Sequence, residues 1–302
     1  MSRVVYLDGK FVPEFEAKLS IYDLSVMQAA AAFEMTRSFN GVHFKLREHL
    51  QRLEQSCKLL SIPFEWSLDL LEGLCLDVSE RNDHGPGEEH RLLIVVSPGC
   101  APMYRDLAGV MPHPFLYIAD FPLRFTVQGF SRYFTDGVHC VTSPIQQVPD
   151  ACVPSKAKHR SRLHFHLAQQ QAQDGTWALL TNERGVYREA PGANLVTVHK
   201  GRIGLVTHGA LNGISLNTIR ELTDAQEDIW PEVWTTQSES ISELWLTGTP
   251  FCMLPVVSLD GQPIGDGQIG PVYKETLAQW SAMVGINIQE QICQWDLAAS
   301  RK

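Results

Sequence analysis

The chain has 302 residues, a length that accommodates two modest domains with cores of their own. Apolar residues make up 44% of the sequence and charged residues 20%, which is the composition of an ordinary globular protein. The net charge of −9 and the lack of a basic stripe argue against nucleic-acid binding.

The sequence predicts a cytoplasmic protein without a membrane segment, a disulfide frame or a metal site. No apolar run approaches the roughly 20 residues of a spanning helix, and the opening MSRVVYLDGK lacks the apolar core of a signal peptide. The seven cysteines contain no C-x-x-C pair, so we interpret them as reduced thiols. Among the dispersed histidines, His164 and His166 have no carboxylate or cysteine at ligand spacing.

The first 60 residues predict a hairpin and then a helix. Asp8-Gly9 stands between two short apolar runs and supplies the positive φ angles of a tight turn. Apolar residues then recur at helical spacing between Leu46 and Leu60, which predicts one buried face. Arg52 falls on the exposed side of that helix or at its edge, the usual place of a solvated arginine.

The next stretch predicts a helix over Leu68 to Val78 and strands over Arg91 to Ser97 and Phe115 to Ala119. The loop between the two strands contains Tyr104 and Arg105. A strand then ends at the proline at position 122, and its apolar pattern does not continue beyond that residue. We therefore predict an N-terminal α/β domain over 1–120, a linker over 121–130 and a larger C-terminal domain over 131–302.

The segment 155–172, SKAKHRSRLHFHLAQQQA, places two lysines ahead of a predicted helix. A lysine that is partly desolvated at a helix entrance has a lowered pKa and can act as a nucleophile or proton shuttle. The helix would bury one apolar side, formed by Leu163, Phe165, Leu167 and Ala168.

Strands are predicted over Trp177 to Thr181 and Ile203 to Thr207. After the second of these strands, a glycine and small polar residues at 212–215 begin another helix. Its free N–H groups and its dipole would favour an anion. The strand 244–249, LWLTGT, ends in hydroxyl groups.

Several of these segments resemble, in the same order, the motifs of the class IV (fold type IV) pyridoxal-phosphate enzymes. They are LDGKFVP, AKLSIYD and FEMTR near the start, HLQRL at 49–53, KHRSRL at 158–163, GVYREAPGANL at 185–195, LNGIS at 211–215 and LWLTGT at 244–249. KHRSRL is most similar to the K-H-x-N-R-L of aminodeoxychorismate lyases, and more loosely to the lysine segment of D-amino-acid and branched-chain aminotransferases.

The resemblance implies pyridoxal 5'-phosphate as the cofactor, carried as a Schiff base by Lys158, with Lys156 as the competing lysine. It implies that Glu189 holds the proton of the pyridinium nitrogen, which makes the ring a better electron sink. Arg52 would make charge-assisted bonds to the phosphate. The other implied cofactor contacts are Asn194, Gly213, Ile214, Ser215, Thr247, Gly248 and Thr249.

The chain departs from the family pattern at three places. Leu24-Ser25 and Gln28-Ala29 stand where relatives have Arg-Gly and Tyr-Gly, and Leu216 replaces an arginine. The family tyrosine often faces the substrate, and the loop of Tyr104 and Arg105 often lies near it. The resemblance therefore implies substrate contacts at Gln28, Tyr104 and Arg105.

The implied fold is α/β with mixed sheets, in two domains with the cofactor between them, and relatives are commonly homodimers that complete each other's substrate pockets. We favour an aminotransferase that acts on an amino acid and a 2-keto acid. A lyase of the aminodeoxychorismate type, which releases pyruvate, is the alternative that K-H-x-x-R-L and N-G-I support. A non-catalytic binding protein is the third alternative. The three changed family positions favour it, whereas the retention of Lys158 and Glu189 argues against it.

Overall fold

The computed structural model describes residues 3–107, 111–173, 175–227 and 241–299. The chain divides into two compact units, Met1–Phe125 with Lys156–Arg162 and Thr126–Ser155 with Leu163–Lys302. The first crossing point lies inside the predicted linker. Residues Lys156–Arg162 also belong to the first unit, although they come later in the chain than the start of the second. The predicted domains, which divide the chain in sequence order, do not include this return.

The first unit is an antiparallel sheet covered by two helices. Its strands are β1 (Val4–Leu7), β2 (Lys10–Pro13), β3 (Ala32–Met35), β4 (Ser38–Phe39), β5 (Val42–His43), β6 (His90–Ser97) and β7 (Phe115–Pro122). Its helices are α1 (Leu24–Met27), α2 (Leu46–Leu59) and α3 (Leu68–Glu80). Five strands form one sheet in the order β2-β1-β7-β6-β3, and β4 pairs with β5 alone.

The core of this unit forms where the apolar faces of α2 and α3 meet the sheet. Leu50 and Leu53 of α2, Leu71 of α3, and Ile94 and Ile118 of the central strands are all fully buried in one cluster. β7 continues to Pro122, so the start of the predicted linker belongs to a strand. The predicted hairpin, α2, α3, β6 and β7 are present and differ from the predictions only at their ends, whereas β3, β4, β5 and α1 had not been predicted.

The second unit is built on a sheet that closes on itself. Its strands are β8 (Val138–Thr142), β9 (Thr176–Thr181), β10 (Tyr187–Ala190), β11 (Ala193–His199), β12 (Arg202–Leu205), β13 (Gln226–Glu227), β14 (Ile241–Gly248), β15 (Cys252–Leu259) and β16 (Gln262–Pro263). The order is β10-β9-β8-β15-β14-β11-β12-β13, and an extra pairing of β10 with β11 closes six strands into a ring. β8 is parallel to both of its neighbours, so the sheet is mixed.

Helices complete the second unit: α4 (Arg124–Val127, which begins at the end of the first unit), α5 (Ser131–Thr135), α6 (Leu163–Gln171), α7 (Ile214–Leu222), α8 (Pro271–Val284) and α9 (Ile288–Ala299). Within the described residues, no helix combines the length and the apolar character that crossing a membrane would require.

The helix predicted after the two lysines differs from the observed α6. It begins at Leu163, so Lys158 lies in an extended segment well ahead of the helix entrance. Leu163 and Leu167 are 66% and 41% exposed, whereas Ala168 is buried with Phe165 packed against its cluster. Phe165 and Ala168, three residues apart, share one face of the helix, and the i, i+4 pair Leu163 and Leu167 lies on a different one. The predicted apolar side was therefore wrong for these two leucines.

Candidate active site

Lys158 is held in an extended segment beside β3. Its carbonyl accepts a hydrogen bond from the N–H of Phe33, with 3.0 Å between N and O, and its own N–H donates to Ser56 Oγ at 3.0 Å. Two residues further on, the N–H of Arg160 donates to the carbonyl of Ala31 at 3.0 Å. The backbone around Lys158 is therefore fixed, and its half-buried side chain places Nζ 4.9 Å from the centre of the Phe33 ring.

The segment around Lys158 is strongly basic. The guanidinium carbons of Arg160 and Arg162 lie 4.8 and 5.7 Å from the centre of the same Phe33 ring. Burial, with the charges of Arg162 and Lys158, lowers the pKa of His159, so its imidazole is neutral near pH 7. Lys156, the competing lysine, is exposed. Of the two lysines, Lys158 thus has the fixed, partly buried setting that suits a nucleophilic amine.

Arg52 projects from α2 onto Glu34 of β3. Its Nε donates to Oε1 at 2.6 Å and its Nη2 to Oε2 at 2.8 Å, the planar two-bond pairing typical of arginine and a carboxylate. His49 Nδ1 lies 2.7 Å from the same Oε2. Burial alone would raise the pKa of Glu34, but Arg52 and His49 outweigh it and hold that pKa well below its usual range. Glu34 thus fixes the direction of the guanidinium.

Of the two positions predicted for Arg52, the exposed side of its helix or the edge of that side, the structure has the edge, where the residue is half-buried. Its side chain is only 10% exposed because the buried carboxylate of Glu34 draws it inward. Ser56, one turn further along α2, donates from Oγ to the Arg52 carbonyl at 2.8 Å and accepts the N–H of Lys158. One serine therefore connects the helix that carries Arg52 to the segment that carries Lys158.

In the second unit, strand register brings three of the predicted cofactor residues into one row. Glu189 of β10 lies directly opposite Asn194 of β11, and Asn194 lies directly opposite Thr247 of β14. Residues opposite each other in antiparallel strands project from the same face of a sheet. The row is possible because β10 and β11 are joined by a tight turn, in which Gly192 has a φ of 87° that favours glycine.

Glu189 is buried and oriented by hydrogen bonds. Gln147 Nε2 donates to its Oε1 at 2.6 Å, and the N–H of Leu211 approaches its Oε2 at 3.5 Å. The residue is 7% exposed, so its carboxylate retains a fixed direction with little access for water. Such a group can accept the proton of a ring nitrogen.

Gly213 and Asn194 hold the start of α7 against this row. Asn194 Nδ2 donates to the Leu211 carbonyl at 2.7 Å, and a Cβ built on Gly213 would lie 2.1 Å from Asn194 Oδ1. Gly213 has an ordinary φ of −69°, so glycine is required here for space and not for conformation. None of the side chains in the described part of the chain caps α7 at Gly213, which leaves its first turn, with Ile214 and Ser215, suited to an anion.

The LWLTGT segment contributes differently at each of its last three residues. Thr247 is buried and its Oγ1 donates to the Cys252 carbonyl at 2.7 Å. A Cβ on Gly248 would lie 2.9 Å from the Phe251 ring. Thr249 follows the end of β14 and is half-buried. Because the Thr247 proton is committed to the backbone, Thr249 is the better candidate for a hydroxyl donor to a phosphate.

The remaining predicted positions have simpler surroundings. Leu216 is fully buried, so the residue that replaces the family arginine serves packing. Gln28 is exposed at the end of α1, and Arg105 is exposed in its loop. The centre of the Tyr104 ring lies 4.9 Å from that of Tyr22. A substrate contact at Gln28, Tyr104 or Arg105 stays a prediction.

Sequence reasoning gave no role to Glu34, Ser56 or Gln147. Glu34 belongs to the FEMTR motif, so the sequence drew attention to the residue. It did not indicate that Glu34 pairs with a residue of α2. Gln147 lies in irregular structure between β8 and α6, and nothing in its local pattern indicates that it orients Glu189.

Each unit, taken by itself, has groups that suit a part of pyridoxal 5'-phosphate. The first has an amine fixed beside a basic segment and an arginine, and the second has a buried carboxylate and an uncapped helix start. These match the parts of pyridoxal 5'-phosphate: an aldehyde, a basic ring nitrogen and a phosphate dianion. The chemical class of the site is therefore that of a pyridoxal-phosphate-dependent enzyme.

Comparison with known proteins identifies the family. The model of the family "Amino-transferase class IV" matches residues 31–259, and the chain belongs to that family of pyridoxal-phosphate-dependent enzymes. Two similar relatives are the D-alanine aminotransferase of Bacillus licheniformis, 26% identical over 280 residues (89% of this chain and 93% of the relative), and the branched-chain-amino-acid aminotransferase of Escherichia coli strain K12, 26% identical over 284 residues (89% of each).

Solved structures share the fold. A crystal structure of an Escherichia coli branched-chain amino acid aminotransferase superposes with a TM-score of 0.80 over 94% of both chains at 24% identity. The branched-chain amino acid aminotransferase of Thermobaculum terrenum, in its PLP-bound holo form, has a TM-score of 0.78 over 94% of both chains at 21% identity. The mixed α/β fold is thus that of the fold type IV enzymes, as the sequence predicted.

Proposed function

We propose that this enzyme transfers an amino group from an amino acid to a 2-keto acid, with Lys158 as the residue that binds the cofactor covalently. When bound, pyridoxal phosphate supplies an electron sink that stabilises negative charge at the substrate Cα. Lys158 would release the cofactor to the substrate amine and then move the proton between the substrate Cα and the C4′ position. Arg160 and Arg162 would supply a positive field for the substrate carboxylate beside it.

The observation that carries the proposal is the setting of Glu189. Its burial and its hydrogen bond from Gln147 fix a carboxylate in one row with Asn194 and Thr247, next to the start of α7. We propose that this row lies along the cofactor, with Glu189 at the ring nitrogen and Gly213, Ile214, Ser215 and Thr249 at the phosphate. In the first unit Arg52 adds a positive charge for the phosphate. Thr247 and Gly248 would shape the surface on which the ring rests.

The decisive experiment mixes the purified yellow enzyme with single amino acids in the absence of any keto acid. The names of the relatives put L-leucine, L-isoleucine, L-valine and D-alanine first in the panel. A transaminase retains the amino group on its cofactor, so at least one amino acid should bleach the yellow band and release a stoichiometric amount of its keto acid. Lys158→Ala should not respond, and Lys156→Ala should respond as the wild type does.

The lyase alternative predicts a different result. Elimination returns the cofactor to its starting form, so pyruvate would be released from aminodeoxychorismate while the yellow band persisted. That outcome, or a response that survives in Lys158→Ala, would contradict the proposal. An enzyme that binds the cofactor but responds to no compound would favour the non-catalytic alternative.

We also propose a homodimer. In the first unit Tyr22 and Tyr104 pack together, and the apolar residues Val26, Met27 and Met103 near them in sequence are 53%, 48% and 79% exposed. Exposed apolar residues in segments joined by such a ring contact are the kind of surface that an interface covers. Light scattering should give about twice the chain mass of 33.8 kDa, and a monomer at micromolar concentration would contradict the assignment.

A further inference from the structure

A second cluster of chemically reactive side chains lies in the first unit and involves none of the residues assigned to transamination. His84 Nε2, His90 Nδ1 and an Asp120 carboxylate oxygen all lie within 4.8 Å of one another. Their side chains are 5%, 18% and 0% exposed. Two imidazoles and a carboxylate, mostly buried and converging on one point, form a set of donors suited to a metal ion.

The fold produces this convergence from distant parts of the sequence. In the β6–β7 pair, His90 is opposite Pro122 and Leu92 is opposite Asp120, so His90 and Asp120 are diagonal neighbours on one face of the sheet. His84 comes from the loop between α3 and β6. That loop folds back through a turn in which the N–H of Gly85, with a φ of 91°, donates to Asp83 Oδ1 at 2.8 Å.

Hydrogen bonds within the cluster leave two buried atoms unsatisfied. His90 Nδ1 is 2.6 Å from Asp120 Oδ2, a good hydrogen bond. His84 Nε2 is 3.2 Å from the same oxygen, but it makes no acceptable hydrogen bond there, and Asp120 Oδ1 also has no partner among the described residues. A buried polar atom without a partner costs about 1–3 kcal/mol, so its persistence suggests that something else binds it.

His43 is close but is not available as a ligand. Its ring lies 5.8 Å from that of His90, its Nε2 is 2.7 Å from Ser79 Oγ and its Nδ1 is 3.3 Å from Thr36 Oγ1. Both of its nitrogens are thus engaged with hydroxyl groups. The candidate ligand set is therefore two histidines and one aspartate, and it leaves a coordination position for water.

We propose that His84, His90 and Asp120 bind a divalent transition-metal ion, with Zn²⁺ as the best match. Neutral imidazole suits zinc and its neighbours, whereas calcium and magnesium prefer sites made only of oxygen. Ligand atoms about 2.0–2.1 Å from a tetrahedral zinc lie roughly 3.3 Å from one another. The distance of 3.2 Å between His84 Nε2 and Asp120 Oδ2 already has this value. The distance of 2.6 Å between His90 Nδ1 and Asp120 Oδ2 would have to increase slightly. The ion would fasten the loop of His84 to the β6–β7 strands and would keep one coordination position for water.

The test uses the holoenzyme, dialysed against a chelator and then titrated with Zn²⁺ against a chromophoric indicator of micromolar affinity. We expect one zinc per chain, and a roughly 100-fold weaker affinity in both His84→Ala and Asp120→Asn. His113→Ala is the matched control, because His113 Nε2 also lies 3.2 Å from an aspartate oxygen, that of Asp8, but joins no three-residue cluster of metal-binding groups among the described residues. That variant should bind zinc as the wild type does.

Two results would overturn the site. One is a wild type that takes up no zinc in competition with the indicator, which would make the cluster a metal-free hydrogen-bonded network. The other is uptake that persists in His84→Ala, which would assign it to other surface groups. Should the variants misfold by circular dichroism, zinc-edge X-ray absorption on the wild type decides. A spectrum that shows scattering from two imidazole rings supports the site. A spectrum that shows no imidazole scattering excludes it. Neither result depends on the proposed transaminase activity.

Discussion

Glu34, Arg52 and His49 illustrate how a single buried carboxylate can organise a site. A charge removed from water is stable only when its partners replace the lost solvation, and here an arginine makes two bonds to it and a histidine makes a third. Replacing Arg52 alone would leave the buried carboxylate of Glu34 with the single hydrogen bond to His49 in place of three bonds. The loss of cofactor in such a variant could therefore reflect damage to the fold and not the loss of a phosphate contact.

A pair of variants separates the two effects. Glu34→Gln retains Arg52 and the shape of the cluster, and Glu34→Gln/Arg52→Gln removes the guanidinium without leaving an unpaired carboxylate. If Arg52 contacts the phosphate, the double variant should bind pyridoxal phosphate roughly ten- to a hundredfold more weakly than Glu34→Gln, which corresponds to about 1.5–3 kcal/mol. Fluorescence titration of the two apoenzymes measures the ratio. A ratio near one would remove Arg52 from the phosphate site.

The sequence named single residues but not their partners. Lys158, Glu189 and Asn194 stand in motifs, so the resemblance could name them. Gln147 and Ser56 act through contacts with residues far away in the chain, 42 positions for Gln147–Glu189 and 102 for Ser56–Lys158. No local pattern encodes such contacts, because they depend on which strands and helices become neighbours.

At the level of elements, the site depends on how closely α7 approaches the β10–β11 hairpin. Gly213 is the point of closest approach, since any Cβ there would overlap the Asn194 amide. The helix start must remain near the row formed by Glu189, Asn194 and Thr247 if its N–H groups are to bind the phosphate. Glycine at this position is therefore a requirement of packing between elements.

Gly213→Ala tests this requirement. The added methyl group should displace Asn194 or the start of α7, and we expect at least a tenfold loss of pyridoxal-phosphate affinity with a lower melting temperature. Gly73→Ala is the matched control. Gly73 lies within α3 with nothing within 4 Å of a built Cβ, so alanine there should raise helix stability by about 0.5–1 kcal/mol and leave cofactor binding unchanged. Equal cofactor affinity in the two variants would show that the approach of α7 is not critical.

Element types were predictable for the same physical reason in both units: the apolar period of each segment matches its secondary structure. The hairpin at Asp8-Gly9, α2, α3 and the buried strands β6 and β14 follow from local pattern. The apolar side of α6 was not predicted correctly, because local sequence alone does not reveal which face of the helix packs against β9. The ring closure by β10 with β11 also has no local signature, since it depends on pairing around six strands.

For the molecule as a whole, the buried cluster of Glu34 and His49 makes stability depend on pH in one direction. Burial lowers the pKa of His49 below its ordinary 6.5, so the unfolded chain binds a proton below that pH while the folded chain does not. Glu34 also has a lowered pKa when folded, so below its ordinary 4.5 the unfolded carboxyl takes up a proton that the folded one does not. Each group therefore favours unfolding as the pH falls, His49 first and Glu34 afterwards.

His49→Asn should separate these two windows. Asparagine can still donate a hydrogen bond to Glu34 but cannot titrate, so the urea midpoint should fall less than that of the wild type between pH 7 and 5. Below about pH 4.5 the two proteins should lose stability together, because Glu34 is retained in both. Unfolding is followed by circular dichroism with cofactor in constant excess, and His113→Asn, which replaces an exposed histidine, should behave as the wild type throughout. Parallel curves for wild type and His49→Asn from pH 7 to 5 would show that His49 is not held neutral by the fold.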